Sequence, residues 1–349
     1  MMNTDTQQSQ YDAMAAVEGL RGDYLLQAQW TLGGAFRFDA SLQKVLSILK
    51  QLGKLFPITH VAGSMPCSAS LDWFVQRRPV TMVDYINALE TYAQMGLGVV
   101  LVLDNPAVSP ETAADPYVET LIQELYNRDR VRMNAVCVAS DALAEHIRGI
   151  CPRLPIHCHL NRLVMENGKR TAQLYNKLGE RYARVCLHPG DAVKPAIYGA
   201  LKEPQKYDAV MNDPCLRTCP VRREHVRLLS QMRRAPYDTT LMVQRSNLID
   251  RTACQKLNPA ELQQKATCNL TRSEAQSLHD AGIRRFIIQS QQFRNEMTLL
   301  WDIFRCLQND DPAISNKAAL IASATMAEFG KPTYTLPSGL RGFSFSNYE

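Results

Sequence analysis

Asn212-Asp213-Pro214-Cys215-Leu216-Arg217-Thr218-Cys219-Pro220-Val221-Arg222-Arg223-Glu224-His225 is the segment whose residue types and spacing point most directly to chemistry. Cys215 and Cys219 lie four residues apart, just ahead of a helical pattern. A helix N-terminus and the neighbouring Arg217, Arg222 and Arg223 both favour thiolate over thiol. Two thiolates are half of a tetrahedral ligand set, and Cys254 and Cys268 downstream could supply the other half. Soft thiolate ligands select an iron–sulfur cluster or zinc. A C-x-x-x-C pair alone leaves that choice open.

Histidines are the next candidates. His157 and His159 alternate on one predicted strand, so both are expected on the same face. His188 ends another strand and is the best-placed general acid or base. His225 follows Arg222 by one helical turn, and a hydrogen bond from it would orient the cysteine loop. Cys137, Cys158, Cys186 and Cys306 sit among Val, Ile and Leu and read as packed core thiols. Cys67 falls in a loop and is open to a pocket-lining role, and Cys151 has no assignment. Arg217, Arg222, Arg223, Arg227, Arg233 and Arg234 concentrate positive charge. They suggest a solvated helix face, a counter-charge for thiolates, or a binding face for RNA phosphates. Tyr237 is the one aromatic close by, which weakens the RNA reading.

These residues need elements to position them. Short apolar runs at 58–62, 99–103, 135–138, 156–159, 184–187, 208–211 and 285–288 read as strands, with an eighth expected in the irregular stretch 235–267. Helical spacing links them over 41–52, 81–95, 120–126, 142–150, 170–178, 191–201, 222–232, 272–281 and 296–307. Ser140 reads as an N-cap and Gly282 as a C′ stop. Continuous apolar strands alternating with helices predict a parallel sheet covered on both faces. Eight units predict a (β/α)8 TIM-type barrel, allowing for an irregular or incomplete unit. The expected boundaries are a polar tail over 1–22, the barrel over 23–310 and a packed extension over 311–349. Strand ends carry the chemistry in such a barrel. They place Gly63, Ser64, Asp104, Asn105, Ser140, Asn161, His188, Asn212, Gln289 and Gln291 around a polar pocket, with Gly63, Ser64, Asn105 and Asn161 taken as substrate-binding.

Composition narrows the rest. With 349 residues, 46% apolar and 21% charged, the chain is neither disordered nor fibrous. Ten cysteines are too few for a disulfide scaffold. The start is polar and no run is long enough to span a membrane, so a cytoplasmic protein with reduced thiols is expected. The net charge of +5 decides nothing about partners. No G-x-S-x-G, Walker A, H-E-x-x-H or G-x-G-x-x-G is present where its chemistry would require it.

The pattern N-x-x-C-x-x-x-C-P-x-R-x-x-H at the end of a barrel strand resembles the U32 peptidase-like proteins. More closely, it resembles their uncharacterised relatives with a single radical-SAM-like barrel. Thr59–Pro66, Val99–Pro106 and Thr267–Gln289 match the family in the same order, so the resemblance spans about residues 58–308. It implies a [4Fe–4S] cluster on Cys215 and Cys219, with Cys254 as third ligand and Cys268 as a less secure fourth. It also implies a redox or hydroxylating enzyme acting on a small molecule or biosynthetic intermediate, or alternatively on an RNA base. A third reading is a non-catalytic partner subunit with structural zinc. The family's glycine/arginine loop is replaced by Cys67–Arg78 and its Phe-Lys by Phe286-Ile287, which leaves a changed substrate or a lost reaction open. Arg222 stands where a radical-SAM enzyme proper would carry its third cysteine. Nothing in these residues supports peptidase chemistry.

Overall fold

A computed structural model describes residues 27–37, 42–43, 45–47, 57–71, 80–217, 219–235, 238–250 and 267–289. The chain divides into two compact units, one of residues 29–39 and 58–292, the other of 1–28, 40–57 and 293–349. In the latter, residues 42–43 and 45–47 are helical, with Leu42, Val45 and Leu46 buried at the expected spacing. The tail 1–22, the extension 311–349, the helix over 296–307, Cys254, Cys306 and Tyr237 lie outside the described residues.

The larger unit is a closed parallel (β/α)8 TIM-type barrel. Its eight strands are β1 (Gln29–Gly33), β2 (Ile58–Gly63), β3 (Gly98–Leu103), β4 (Ala135–Val138), β5 (Ile156–Cys158), β6 (Arg184–Cys186), β7 (Tyr207–Val210) and β10 (Arg285–Ile288). Each pairs with its chain neighbour, and β1 closes the ring by pairing with β10 in the register Trp30↔Phe286. Trp30 and Phe286 stack across that seam with centroids 5.4 Å apart, both fully buried. Two short strands, β8 (Asn212–Leu216) and β9 (Thr267–Asn269), form a separate antiparallel pair.

The eight strands are reached by a different route from the one the sequence suggests. The first is Gln29–Gly33, and Ile58–Gly63 is the second. The described part of the stretch 235–267 adds no barrel strand. Five residues reading QWTLG carry too little alternation to stand out, and pairing with two neighbours is what makes them a strand.

Helices cover the outside: α1 (Met82–Gln94), α2 (Pro110–Ala113), α3 (Pro116–Asn127), α4 (Asp141–Ile150), α5 (Leu160–Val164), α6 (Ala172–Arg181), α7 (Pro189–Ala192), α8 (Pro195–Tyr198), α9 (Arg222–Arg234), α10 (Thr239–Asp250) and α11 (Arg272–Asp280). Their starts follow from the sequence. Thr81 and Asp84 form a capping box on α1, Ser140 caps α4, and Thr271 and Glu274 box α11. Gly282, with φ +95°, ends α11. The helix expected over 191–201 is two short turns, because Pro195 cannot extend the first and begins the second. Among the described residues no helix is long and apolar enough to cross a membrane. Leu71, Leu160, Val164, Cys186, Val210 and Val226 pack as one buried cluster, so α5, α9 and the loop after β2 plug the C-terminal side of the barrel.

Candidate functional site

Alternation along the barrel strands sets what faces the interior. Trp30, Phe286 and Ile288 turn away from the axis, while Thr31, Ala62, Val100, Cys137, Cys186 and Ile287 line a cavity of about 80 Å³. That is room for several waters or a ligand of a few heavy atoms. Ser64, Asp104, His159 and Gln289 line it at the C-terminal ends of the strands, and His157, Arg184 and Asp208 nearer their starts. His157 on β5 and His159, just past its end as the N-cap of α5, thus both reach the cavity.

The interior charges are unusual for a barrel lumen. Asp208 is 6% exposed. Burial pushes its carboxyl up to about 6, against the opposing pull of Arg184 and Arg285. Oδ1 of Asp208 has no hydrogen-bond partner among the described residues. Burial, then the charge of Arg184, holds His157 well below the usual imidazole range, and the same causes put His60 at about 4. Both imidazoles are therefore neutral near pH 7. Arg184, Asp208 and Arg285 escape a sequence reading because each sits singly in an apolar run. The signal was there: R-V-C, Y-D-A-V and R-F-I-I each place a charge at an inward register position.

At the C-terminal side, the polar residues divide by what they touch. Ser64 and Gly63 line the cavity, and a Cβ on Gly63 would lie 2.1 Å from the Ala35 carbonyl oxygen. Asn105 donates to the Ser68 carbonyl and accepts from the Ala107 amide, and Asn161 donates to the Asp104 carbonyl. Both carboxamides are therefore engaged in holding loops. Asn212 clasps Gln289, donating to its carbonyl at 2.9 Å and accepting from its amide at 2.7 Å. This clasp sets the start of β8 at the cavity rim, because Gln289 itself lines the cavity.

His188 is buried and caps α7, its Nδ1 accepting from the Gly190 amide, so the ring hydrogen sits on Nε2. Burial and the charge of Arg222 lower it to about 3. It is a neutral capping group behind the rim and is not among the cavity-lining residues. His225 lies on α9 with Nε2 buried and without a partner among the described residues, and burial lowers its pKa.

Cys215 and Cys219 are half-buried, whereas Cys67, Cys137, Cys151, Cys158 and Cys186 are buried. Burial pushes the thiols of Cys67 and Cys158 up to about 12, which suits packing and not reactivity. The loop between the two half-buried cysteines is pinned by Asp213. Its Oδ1 accepts from the Cys215 amide at 2.9 Å and its Oδ2 from Arg222 at 2.6 Å. The β8–β9 register sets Asp213 opposite Cys268, so the backbone of a third cysteine runs beside this loop. Among the described residues no three His, Cys, Asp or Glu side chains converge on a metal position. The donor chemistry of Cys215 and Cys219 fits a thiophilic centre, and Cys254 lies outside the described residues.

The concentrated arginines are engaged one by one within the protein. Arg217 makes a two-pronged pair with Glu274 and also reaches the Asn269 carbonyl. Arg222 binds Asp213, Arg223 binds Asn167, and Arg227 binds Glu224. Arg233 donates to the Cys67 carbonyl and Arg234 to the Ala107 carbonyl, which ties α9 down over two loops.

No protein-family model matches the chain, and no curated protein matches it in sequence. Among solved structures the fold is similar to one titled as that of the U32 peptidase Mk0906, at 11% identity and a TM-score of 0.46, over 75% of this chain and 92% of that one.

Proposed function

We propose that this barrel is a redox enzyme that holds an iron–sulfur cluster at Cys215, Cys219 and one or both of Cys254 and Cys268, and modifies a small molecule in the barrel cavity. The observation that carries this reading is the position of β8. Asn212 ties its start to the cavity rim through Gln289, and β9 brings the Cys268 backbone to the same edge. A cluster there supplies electron transfer, or Lewis acidity at an iron that three cysteines leave open. Asp213 fixes the loop conformation and pairs with Arg222, which gives Arg222 a positioning role on the loop. Within the cavity, Asp208 is the group poised to give or take a proton near neutral pH. His188 holds α7 in place behind it.

A small-molecule substrate is favoured over RNA. All six arginines between 217 and 234 bond to protein groups, so they do not form an unpaired cationic row for phosphates. Anaerobically prepared protein should show a broad visible absorption that dithionite bleaches, and any RNA binding should be no weaker after charge reversal at Arg223 and Arg227 than before. A colourless protein with four-thiolate zinc would overturn the redox reading in favour of a structural site. Steeply salt-dependent RNA binding lost on those reversals would overturn the choice of substrate.

A further inference from the structure

The interior half nearest the strand starts carries more positive charge than the protein itself compensates. Arg184 opens β6 and Arg285 opens β10, and β7, bearing Asp208, lies between those two strands. Arg184 lines the cavity, and Arg285 shares the inward register of the cavity-lining Ile287 and sits opposite Asp208. Both guanidiniums are only partly exposed, and among the described residues neither donates a hydrogen bond nor forms an ion pair. The one carboxylate facing them is not bonded to them and leaves Oδ1 bare. Burying charge without hydrogen-bonded compensation is unfavourable, so an arrangement like this is suited to being completed from outside.

We propose that Arg184 and Arg285, with the carboxyl of Asp208 on the strand between them, form an interior binding site for a small oxyanion, the carboxylate or the sulfate- or phosphate-type group of a small ligand. Guanidinium forks suit such oxygens because each offers parallel N–H donors to two of them. Asp208 sets the condition for binding. Ionised, it repels the anion; protonated, it donates a third hydrogen bond. Anion binding is therefore coupled to uptake of one proton. The groups facing Asp208 are Arg285 from β10, Arg184 and Cys186 from β6 and Cys137 from β4, and the same two arginines also act on His157 from β5 and His60 from β2. His60, at about 4, and His157, held well below its usual range, stay neutral and the two thiols stay protonated, so Asp208 is the group that switches between pH 5.5 and 7.5.

The site does not rest on the cluster, and iron content measured on the same full-length samples separates the two claims. Calorimetric titration with sulfate, which is fully ionised throughout, and with acetate is run at constant ionic strength against chloride. Sulfate binding should be roughly twenty-fold tighter at pH 5.5 than at 7.5 for a carboxyl titrating near 6. Asp208→Asn should bind equally at both pH values, within about two-fold. Arg184→Gln and Arg285→Gln should each weaken binding by roughly ten-fold or more, with Arg184→Lys and Arg285→Lys as folded controls that retain part of it. Acetate replacing sulfate as the tighter probe would assign the site to carboxylates. Absence of saturable binding of either anion to wild type and to Asp208→Asn would overturn the proposal, as would binding unchanged in both arginine-to-glutamine variants.

Discussion

Asp208 bears the clearest physical signature of any single residue. Its ordinary pKa is near 3.9, and in the folded protein it stands at about 6. For an acid raised in this way the folded state binds more protons than the unfolded chain. Its favourable contribution is full below about pH 4 and is lost as pH rises through 6. At pH 7.5 the buried carboxylate is a cost. Replacing it by Asn should therefore move the variant-minus-wild-type stability difference in the variant's favour by about 1–1.5 kcal/mol between pH 5 and pH 7.5. Urea unfolding at the two pH values reads this directly, and a difference independent of pH would show that Asp208 ionises like an exposed residue. Sequence reasoning found His157 and His159, at and just past the end of β5, because alternation is visible in two like residues. It missed Arg184, Asp208 and Arg285 because three isolated charges on three strands become neighbours only when the barrel closes.

At the scale of elements, two contacts hold the candidate site in place. Gly63 ends β2 against the carbonyl of Ala35, with no space for a methyl group. Gly63→Ala should destabilise by about 2–4 kcal/mol, since backbone and not a flexible side chain must yield. Asn212 joins the start of β8 to Gln289 by two hydrogen bonds. Asn212→Ala should cost about 2 kcal/mol and loosen the cysteine strand, read as faster amide exchange over 212–216. Unchanged exchange there would show that β9 pairing alone fixes β8. Helices were legible because apolar spacing and caps such as Ser140 and Thr271 are local. β1 was not, because its identity depends on β2 and β10. The separate β8–β9 pair was equally hidden, since its partners lie more than fifty residues apart.

The whole molecule concentrates neutral histidines in its interior. His60 is lowered to about 4, His159 and His188 to about 3, and His157 well below its usual range, each chiefly by burial. In the unfolded chain all four titrate near 6.5. Folded, they stay neutral, so the stability they contribute is full above 6.5 and is lost as pH falls below it. Up to four protons are taken up on unfolding, and the acid slope can approach roughly 5 kcal/mol per pH unit. The urea midpoint should fall steadily from pH 7 to 5.5, and a flat profile would mean that these rings are hydrated in the folded state. The barrel itself was legible from alternating apolar strands and helices, whereas the role of its cysteines was legible only as a spacing. The most direct test of the cluster is the iron and acid-labile sulfide content of the anaerobically purified chain beside Cys215→Ala and Cys219→Ala. The expected result is about four iron and four sulfide per wild-type chain and near-background values in both variants. An iron-free wild type, or iron unchanged by either substitution, would contradict it.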